Sequence, residues 1–308
     1  MNGPLLRGPV LRLTEAGWFR RLVTGPFGRP VVARFVAGEH LDDAIRVAKV
    51  LDGQKISTIL DHLGENVTAP EHAAEAVAAY IRALDRFRVE PFLDLTISVK
   101  LTQLGLDFSH ELCVANMERV LEAASEVGTL VMIDMESSAY VDRTLRVFGE
   151  LRERHERVGV ALQTCLRRTV RDVDELPEGS VIRIVKGAYL EPPEVAFTSR
   201  REVDTSFAQL TATLLARGHV VHVATHDPAL LHGTVGYVQR RSIPWTQVEF
   251  QMLYGIRRDL QNRLANQGYP VRVYVPYGTE WYPYLTRRMA ERPANMWFFA
   301  SNLIRFWR

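Results

Sequence analysis

Residues 92–135, "FLDLTISVKLTQLGLDFSHELCVANMERVLEAASEVGTLVMIDM", contain one unit of the pattern that decides the fold. "FLDLTISV" (92–99) and "TLVMIDM" (129–135) are short runs rich in β-branched and apolar residues. Between them, "ELCVANMERVLEAASEVG" (111–128) carries a polar and an apolar face at helical period and stops on a glycine. Strand, helix and strand in that order predict a βα repeat whose helix is a crossover between parallel strands.

The same alternation extends outward from this unit. Further strands are predicted at "ISTILD" (56–61), "VGVALQT" (158–164), "VIRIVKGA" (181–188), "VVHVATH" (220–226), "VEFQML" (248–253) and "VRVYVP" (271–276), eight with the two above. "PEHAAEAVAAYIRALDRF" (70–87) and "YVDRTLRVFGELRERH" (140–155) have the two-faced pattern of further crossover helices. Eight such units over about 250 residues predict an α/β fold, a (β/α)8 TIM-type barrel with its site at the C-terminal ends of the strands. A doubly wound sheet is the alternative. It is disfavoured because a dinucleotide site there needs a glycine-rich first turn, and the chain contains no G-x-G. "VVARFVAG" (31–38) would make a ninth strand and is assigned to an N-terminal extension. The organisation expected is an arm over 1–33 and a single barrel domain over 34–308.

Composition narrows the function classes. With 308 residues, 47% of them hydrophobic, the chain can bury a large core. Its 38 basic and 36 acidic side chains nearly balance, at formal +2, so nothing points to nucleic acid as a partner. Cys113 and Cys165 are the only cysteines, which supports neither a disulfide framework nor a thiolate metal site. Both are expected to be core thiols in a reducing, cytoplasmic compartment. No metal is called for, and no run approaches a membrane span.

Polar residues gather at the predicted strand ends, where barrel side chains converge. They are Glu65, Lys100, Asp134, Glu136, Gln163, Arg183, Lys186, Thr225, His226, Gln251 and Tyr274. Each alone could be a cap or a satisfied core residue. Together they are harder to dismiss, because buried charges are rare unless paired or bound to something. "WYPYLTRRMAERP" (281–293) adds two adjacent guanidiniums, Arg287 and Arg288, beside clustered aromatics. They read equally as a solvated helix face or as a pair sharing an anion.

The blocks "LTISVKLTQLGLD", "MIDMESS", "IRIVKGAY", "VATHD", "EFQMLYG", "RVYVPYG" and "WYPYLTRRMAERP" resemble, in order and spacing, those of the proline dehydrogenase family, most closely its single-function bacterial form. The likeness runs from about "RFVAG" at residue 34 to the C-terminus. It implies a distorted (β/α)8 barrel with an N-terminal helical extension and non-covalent FAD at the strand ends. L-proline would be oxidised to Δ1-pyrroline-5-carboxylate and the electrons passed to a membrane quinone, with docking on the inner face of the cytoplasmic membrane. A separate pyrroline-5-carboxylate dehydrogenase would take the product.

Carried onto this sequence, the resemblance assigns Lys100, Arg287 and Arg288 to the substrate carboxylate, and Tyr274 and Tyr284 to the walls around the proline ring. Glu65 would pair with Arg287 at the mouth as a gate. Arg183 would sit beside the flavin N5 and N1. Gln163, Lys186, Gly187, Ala188, Thr225 and His226, with the backbone near Met135 and Val185, would hold the rest of the cofactor. Asp134 would orient Arg183 or Lys100 by ion pairing. Two other classes stay open on the residues alone: a barrel aldolase using Lys100 or Lys186 as a Schiff base, and a non-catalytic anion-binding barrel.

Overall fold

The computed structural model describes residues 29–291, with side chains from residue 32 to 286. Its strands are β1 (Ser57–His62), β2 (Leu95–Val99), β3 (Val131–Ile133), β4 (Val158–Gln163), β5 (Val181–Val185), β6 (Val220–Ala224), β7 (Val248–Leu253) and β8 (Val271–Tyr277). All neighbours are parallel and in sequence order, and β8 pairs with β1 in the register Ile59↔Tyr274 to close the barrel. Every predicted strand is present. Several are shorter than the apolar runs suggested, because a ladder persists only while a neighbour pairs with it. "VIRIVKGA" leaves the wall after Val185, and Gly187 turns the chain at φ +114°. Phe92, expected to open β2, is 93% exposed before the strand starts at Leu95.

The ninth strand is not formed. Residues Arg29–Phe35 are a helix, α1, which crosses the expected arm boundary at 33, while 1–28 lie outside the described residues. A closed barrel has no edge to accept another strand. Pro30 suits the first turn of a helix, where an N–H has no partner to lose, and Val36 N donates back to Val32 O at 2.9 Å.

Two helices depart from the simple repeat, and together they shape the site. α2 (Leu41–Asp52) packs outside β1 and β8, filling the seam that the helix after β8 would otherwise cover. The last described helix, α10 (Trp281–Glu291), instead brings Tyr284 against Val36 and Leu63 at the barrel mouth. The other helices ring the barrel. They are α3 (Pro70–Arg88), α4 (His110–Glu126), α5 (Val141–Arg152), α6 (Thr169–Asp172), α7 (Arg200–Ala216), α8 (Pro228–Arg240) and α9 (Arg258–Asn266).

Helix faces follow the sequence period. α3 buries Ala73, Val77, Tyr80 and Leu84, one turn apart, and Ser109 caps α4 by accepting from Leu112 N at 3.0 Å. Burying side chains as large as Phe148 or Phe207 stabilises by roughly 1.5–3 kcal/mol each, and truncating either to Ala would cost about 3–5 kcal/mol. Among the described residues no helix is long and apolar enough to cross a membrane.

Candidate active site

The strand ends enclose a cavity of about 310 Å³. Its wall includes Lys100, Asp134, Met135, Gln163, Arg183, Val185, Lys186, Gly187, Ala188, Thr225, His226, Tyr274 and Tyr284, which the sequence had assigned to the site from seven separate segments. Glu65 instead lines a neighbouring cavity of about 690 Å³ that shares Lys100 and Tyr284 with the first. Arg287 and Arg288 are carried by α10, but their side chains lie outside the described residues.

Arg183, on β5 and only 4% exposed, organises the floor. Its Nε donates to Gln251 Oε1 at 2.8 Å, and its Nη1 donates to Ser98 Oγ at 3.1 Å and to Asp134 Oδ1. Its Nη2 is buried with no hydrogen-bond partner among the described residues. Such an orphan donor costs on the order of 1–3 kcal/mol, more for a charged group, unless something bound there satisfies it.

Asp134 follows β3 and has both oxygens engaged. Oδ1 accepts from Ser98 Oγ at 2.7 Å as well as from Arg183, while Oδ2 accepts from Tyr274 Oη at 2.7 Å with Lys100 Nζ at 3.6 Å. Burial pushes its carboxyl up, but the Arg183 and Lys100 cations outweigh that and hold it below the usual range. Asp134 is therefore an anchoring carboxylate and a poor base. Lys100, at the end of β2, donates to Asp61 Oδ1 at 3.0 Å. Burial lowers its pKa, yet the Asp61 and Asp134 carboxylates raise it overall above the ordinary lysine value. It stays an ammonium. Burial, reinforced by Asp134 and Asp61, likewise keeps the Tyr274 phenol protonated.

Asp61 was missed in the sequence, although it closes "ISTILD" at a strand end, where the rule for barrels says to look. It is fully buried and lines the cavity, and its Oδ2 has no partner among the described residues. The sequence reading passed over it for Glu65, four residues on. Glu136, also a strand-end candidate, faces away. It accepts from Thr102 N at 3.1 Å and Thr102 Oγ1 at 2.6 Å, and burial raises its carboxyl.

The other end of the cavity is lined by backbone and small side chains. A Cβ at Gly187 would overlap Cys165 Sγ and come within 3.3 Å of Gln163 Oε1, and the chain turns there at φ +114°, so only glycine fits. Cys113 is a buried core thiol as expected, whereas Cys165 is only half-buried beneath this turn. Lys186 Nζ is held by Asp204 and by Asp227 at 3.1 Å, so its charge is shared with two carboxylates. His226 Nε2 accepts from Leu253 N at 2.9 Å.

Comparisons with known proteins match this geometry to one family. The sequence profile described as "Proline dehydrogenase" matches residues 44–301. The chain is 38% identical to "Proline dehydrogenase 1" of Bacillus subtilis (strain 168) over 273 residues, 88% of this chain and 90% of that protein. It is also 38% identical to "Proline dehydrogenase" of Deinococcus radiodurans over 318 residues, 99% of this chain and 100% of that one. Among solved structures, proline utilization A from Bdellovibrio bacteriovorus, inactivated by N-propargylglycine, superimposes with a TM-score of 0.80 at 26% identity. That match covers 85% of this chain and 32% of the longer one.

Proposed function

Since this chain belongs to the proline dehydrogenase family, oxidoreductases acting on a CH–NH donor in the first step of proline catabolism, we propose that it oxidises L-proline to Δ1-pyrroline-5-carboxylate with non-covalent FAD and a quinone as electron acceptor. The observation that carries the proposal is that Arg183, which lines a cavity together with Lys100, has a buried Nη2 with no partner among the described residues.

The residues present fit a flavin. Arg183 offers a rigid donor where a reduced isoalloxazine would gather negative charge, and Gly187 offers backbone that no side chain obstructs. Gln163, Thr225 and His226 would border the ring and ribose, with Met135, Val185 and Ala188 along the same wall. Lys186, carried between Asp204 and Asp227, would serve the pyrophosphate. When bound, the flavin supplies the acceptor for a hydride from the ring carbon next to the substrate nitrogen.

The protein's own part is to bind, orient and keep dry. Lys100 presents its ammonium to the substrate carboxylate, and the Asp61 and Asp134 carboxylates stop it from swinging away. Arg287 and Arg288 on α10 add two further charges, so three cations would fix the orientation of a small ring through one carboxylate. Tyr274 is pinned by its hydroxyl to Asp134, and with Tyr284 it walls the ring from water. Glu65, in the adjoining cavity, would pair with Arg287 as a gate. The ring nitrogen loses a proton as the hydride leaves, which yields the imine.

Two features count against the lysine-based lyase. Lys100 is held protonated and so is a poor amine nucleophile, and Lys186 is clamped between two carboxylates. As the family resemblance implies, electrons would leave to a quinone reached at the inner membrane face, and the product would pass to a separate pyrroline-5-carboxylate dehydrogenase. The test is to denature the purified protein, identify the released yellow cofactor, and assay the intact protein with proline. FAD freed by heat together with proline-dependent reduction of a dye or soluble quinone supports the reading. Flavin retained on the denatured chain refutes non-covalent binding, and NADH formed from proline refutes the acceptor.

A further inference from the structure

The lumen of a (β/α)8 barrel is ordinarily packed with branched apolar side chains. Here a hydrogen-bonded column of polar ones runs down it from Arg183. Gln251 on β7 accepts from Arg183 Nε through Oε1, and its Nε2 donates to Glu249 Oε1 at 2.8 Å and lies 2.9 Å from His222 Nδ1. Glu249 in turn receives Arg272 Nε at 2.9 and 3.0 Å, and Arg272 Nη2 reaches both oxygens of Asp94 at 3.0 and 2.9 Å. Gln251, His222, Arg272 and Arg183 are all buried.

A glutamine amide can usually turn over and exchange its oxygen for its nitrogen, but this one is fixed from both sides. An ionised carboxylate only accepts, so the NH2 must face Glu249. A guanidinium only donates, so the carbonyl must face Arg183. Glu249 is ionised: burial pushes it up, but His222 once protonated, and the Arg272 guanidinium at any pH, bring it down to about 2. His222 is neutral at neutral pH, chiefly through burial, with its value lowered to about 4, and because the amide NH2 faces its Nδ1 at 2.9 Å, Nδ1 is the accepting nitrogen and Nε2 carries the proton. Turning the amide over would set N–H against N–H on one side and oxygen against oxygen on the other.

We propose that Gln251 is a positioning residue for Arg183: locked by Glu249 and His222, it fixes the rotation of the guanidinium, so that Nη2 is the nitrogen left without a hydrogen-bond partner among the described residues. Two edges of the guanidinium plane are then held, Nε by Gln251 and Nη1 by Ser98 and Asp134, while the third has no partner among the described residues. What Arg183 does with that freedom rests on the proline dehydrogenase reading above. How it is held does not.

The test uses the purified, flavin-loaded protein labelled with ¹⁵N-arginine. The Arg183 Nε–H cross-peak, identified by its loss in Arg183→Lys, should exchange slowly with solvent. In Gln251→Met, of similar volume but without an acceptor, that protection should disappear. The flavin potential should fall, and the limiting rate of flavin reduction by proline should drop roughly ten- to a hundredfold with little change in KM. Gln251→Glu keeps an acceptor toward Arg183 while its carboxyl shares a proton with Glu249, so it should recover the protected peak and much of the rate. Protection and potential unchanged in Gln251→Met, or equal losses in the Met and Glu variants, would overturn the proposal. If Gln251→Met does not fold, the Glu variant decides alone, since a lost cross-peak there contradicts the positioning role. A preparation that carries no flavin would remove the functional reading, yet the cross-peak comparison would still judge Gln251.

Discussion

Two clusters of charge share the barrel lumen, and they differ in whether their hydrogen bonds close. The lower one, Arg272 with Asp94, Glu249 and His222, leaves none of its buried side-chain nitrogens or oxygens without a partner among the described residues. The upper one, Arg183 with Asp134, Lys100 and Asp61, has two loose ends, Arg183 Nη2 and Asp61 Oδ2. Both hold buried cations, Arg272 in one and Arg183 with Lys100 in the other, so burial and charge alone do not mark the site. What marks it is incompleteness: a closed cluster is a plug, whereas an open one has been held unsatisfied for something that binds.

If that distinction is right, damage to the two clusters should show in different measurements. The largest effect is expected from Arg272→Met, which strands Glu249 as a buried anion. It should cost about 3–5 kcal/mol in a denaturation curve while leaving the proline KM of the folded fraction unaltered. Arg183→Met should do the reverse. Flavin reduction by proline should slow by roughly two to three decades, with a smaller loss of stability because Ser98, Tyr274 and Lys100 still serve Asp134. Equal stability losses in the two variants would erase the contrast.

The lower cluster also predicts how stability depends on pH. His222 has its folded value lowered to about 4, so below the unfolded value of about 6.5 the unfolded chain binds the extra proton and the folded one does not. Stability is therefore fully present above pH 6.5 and is lost as pH falls toward 4, by up to about 3 kcal/mol. Glu249, lowered to about 2, extends the loss below pH 4.5 in the same direction. Denaturation midpoints at pH 7, 6 and 5 should fall less steeply in His222→Asn than in the parent, and parallel slopes would contradict the buried neutral imidazole. The smallest effect belongs to the tandem arginines of α10. Arg288→Met should raise the proline KM about ten- to a hundredfold without changing flavin content, and unchanged kinetics would return the tandem arginines to a solvated helix face.

The barrel was legible because its signal is local: each β-branched run and each two-faced helix declares itself within a short window, as β2, α4 and β3 do. Its distortion was not. Nothing in "LDDAIRVAKVLD" says that α2 will take the β8–β1 seam and leave α10 at the mouth, since both helices are amphipathic and the choice depends on the closed three-dimensional sheet. The "VVARFVAG" run misled for a related reason, because β-branched residues favour a strand only where an edge exists to pair with. At the site, strand-end position picked out Arg183, Asp134 and Lys100, and it would have picked out Asp61 had it been applied evenly. Pairings were beyond reach. Arg183 and Gln251 lie 68 residues apart, and their meeting depends on how β5 and β7 lean into one lumen. Yet Arg272, Glu249 and His222 inside otherwise apolar strands were a visible sign that this lumen is not an ordinary one.

The central claim is that the open cluster serves hydride removal from proline. Its most direct test is rapid anaerobic mixing of the purified protein with L-proline, followed at the visible flavin absorbance. The account predicts a bound flavin that bleaches in a proline-dependent phase in the parent and does so far more slowly in Arg183→Met. A preparation without flavin absorbance, or a flavin that proline leaves oxidised, would contradict it.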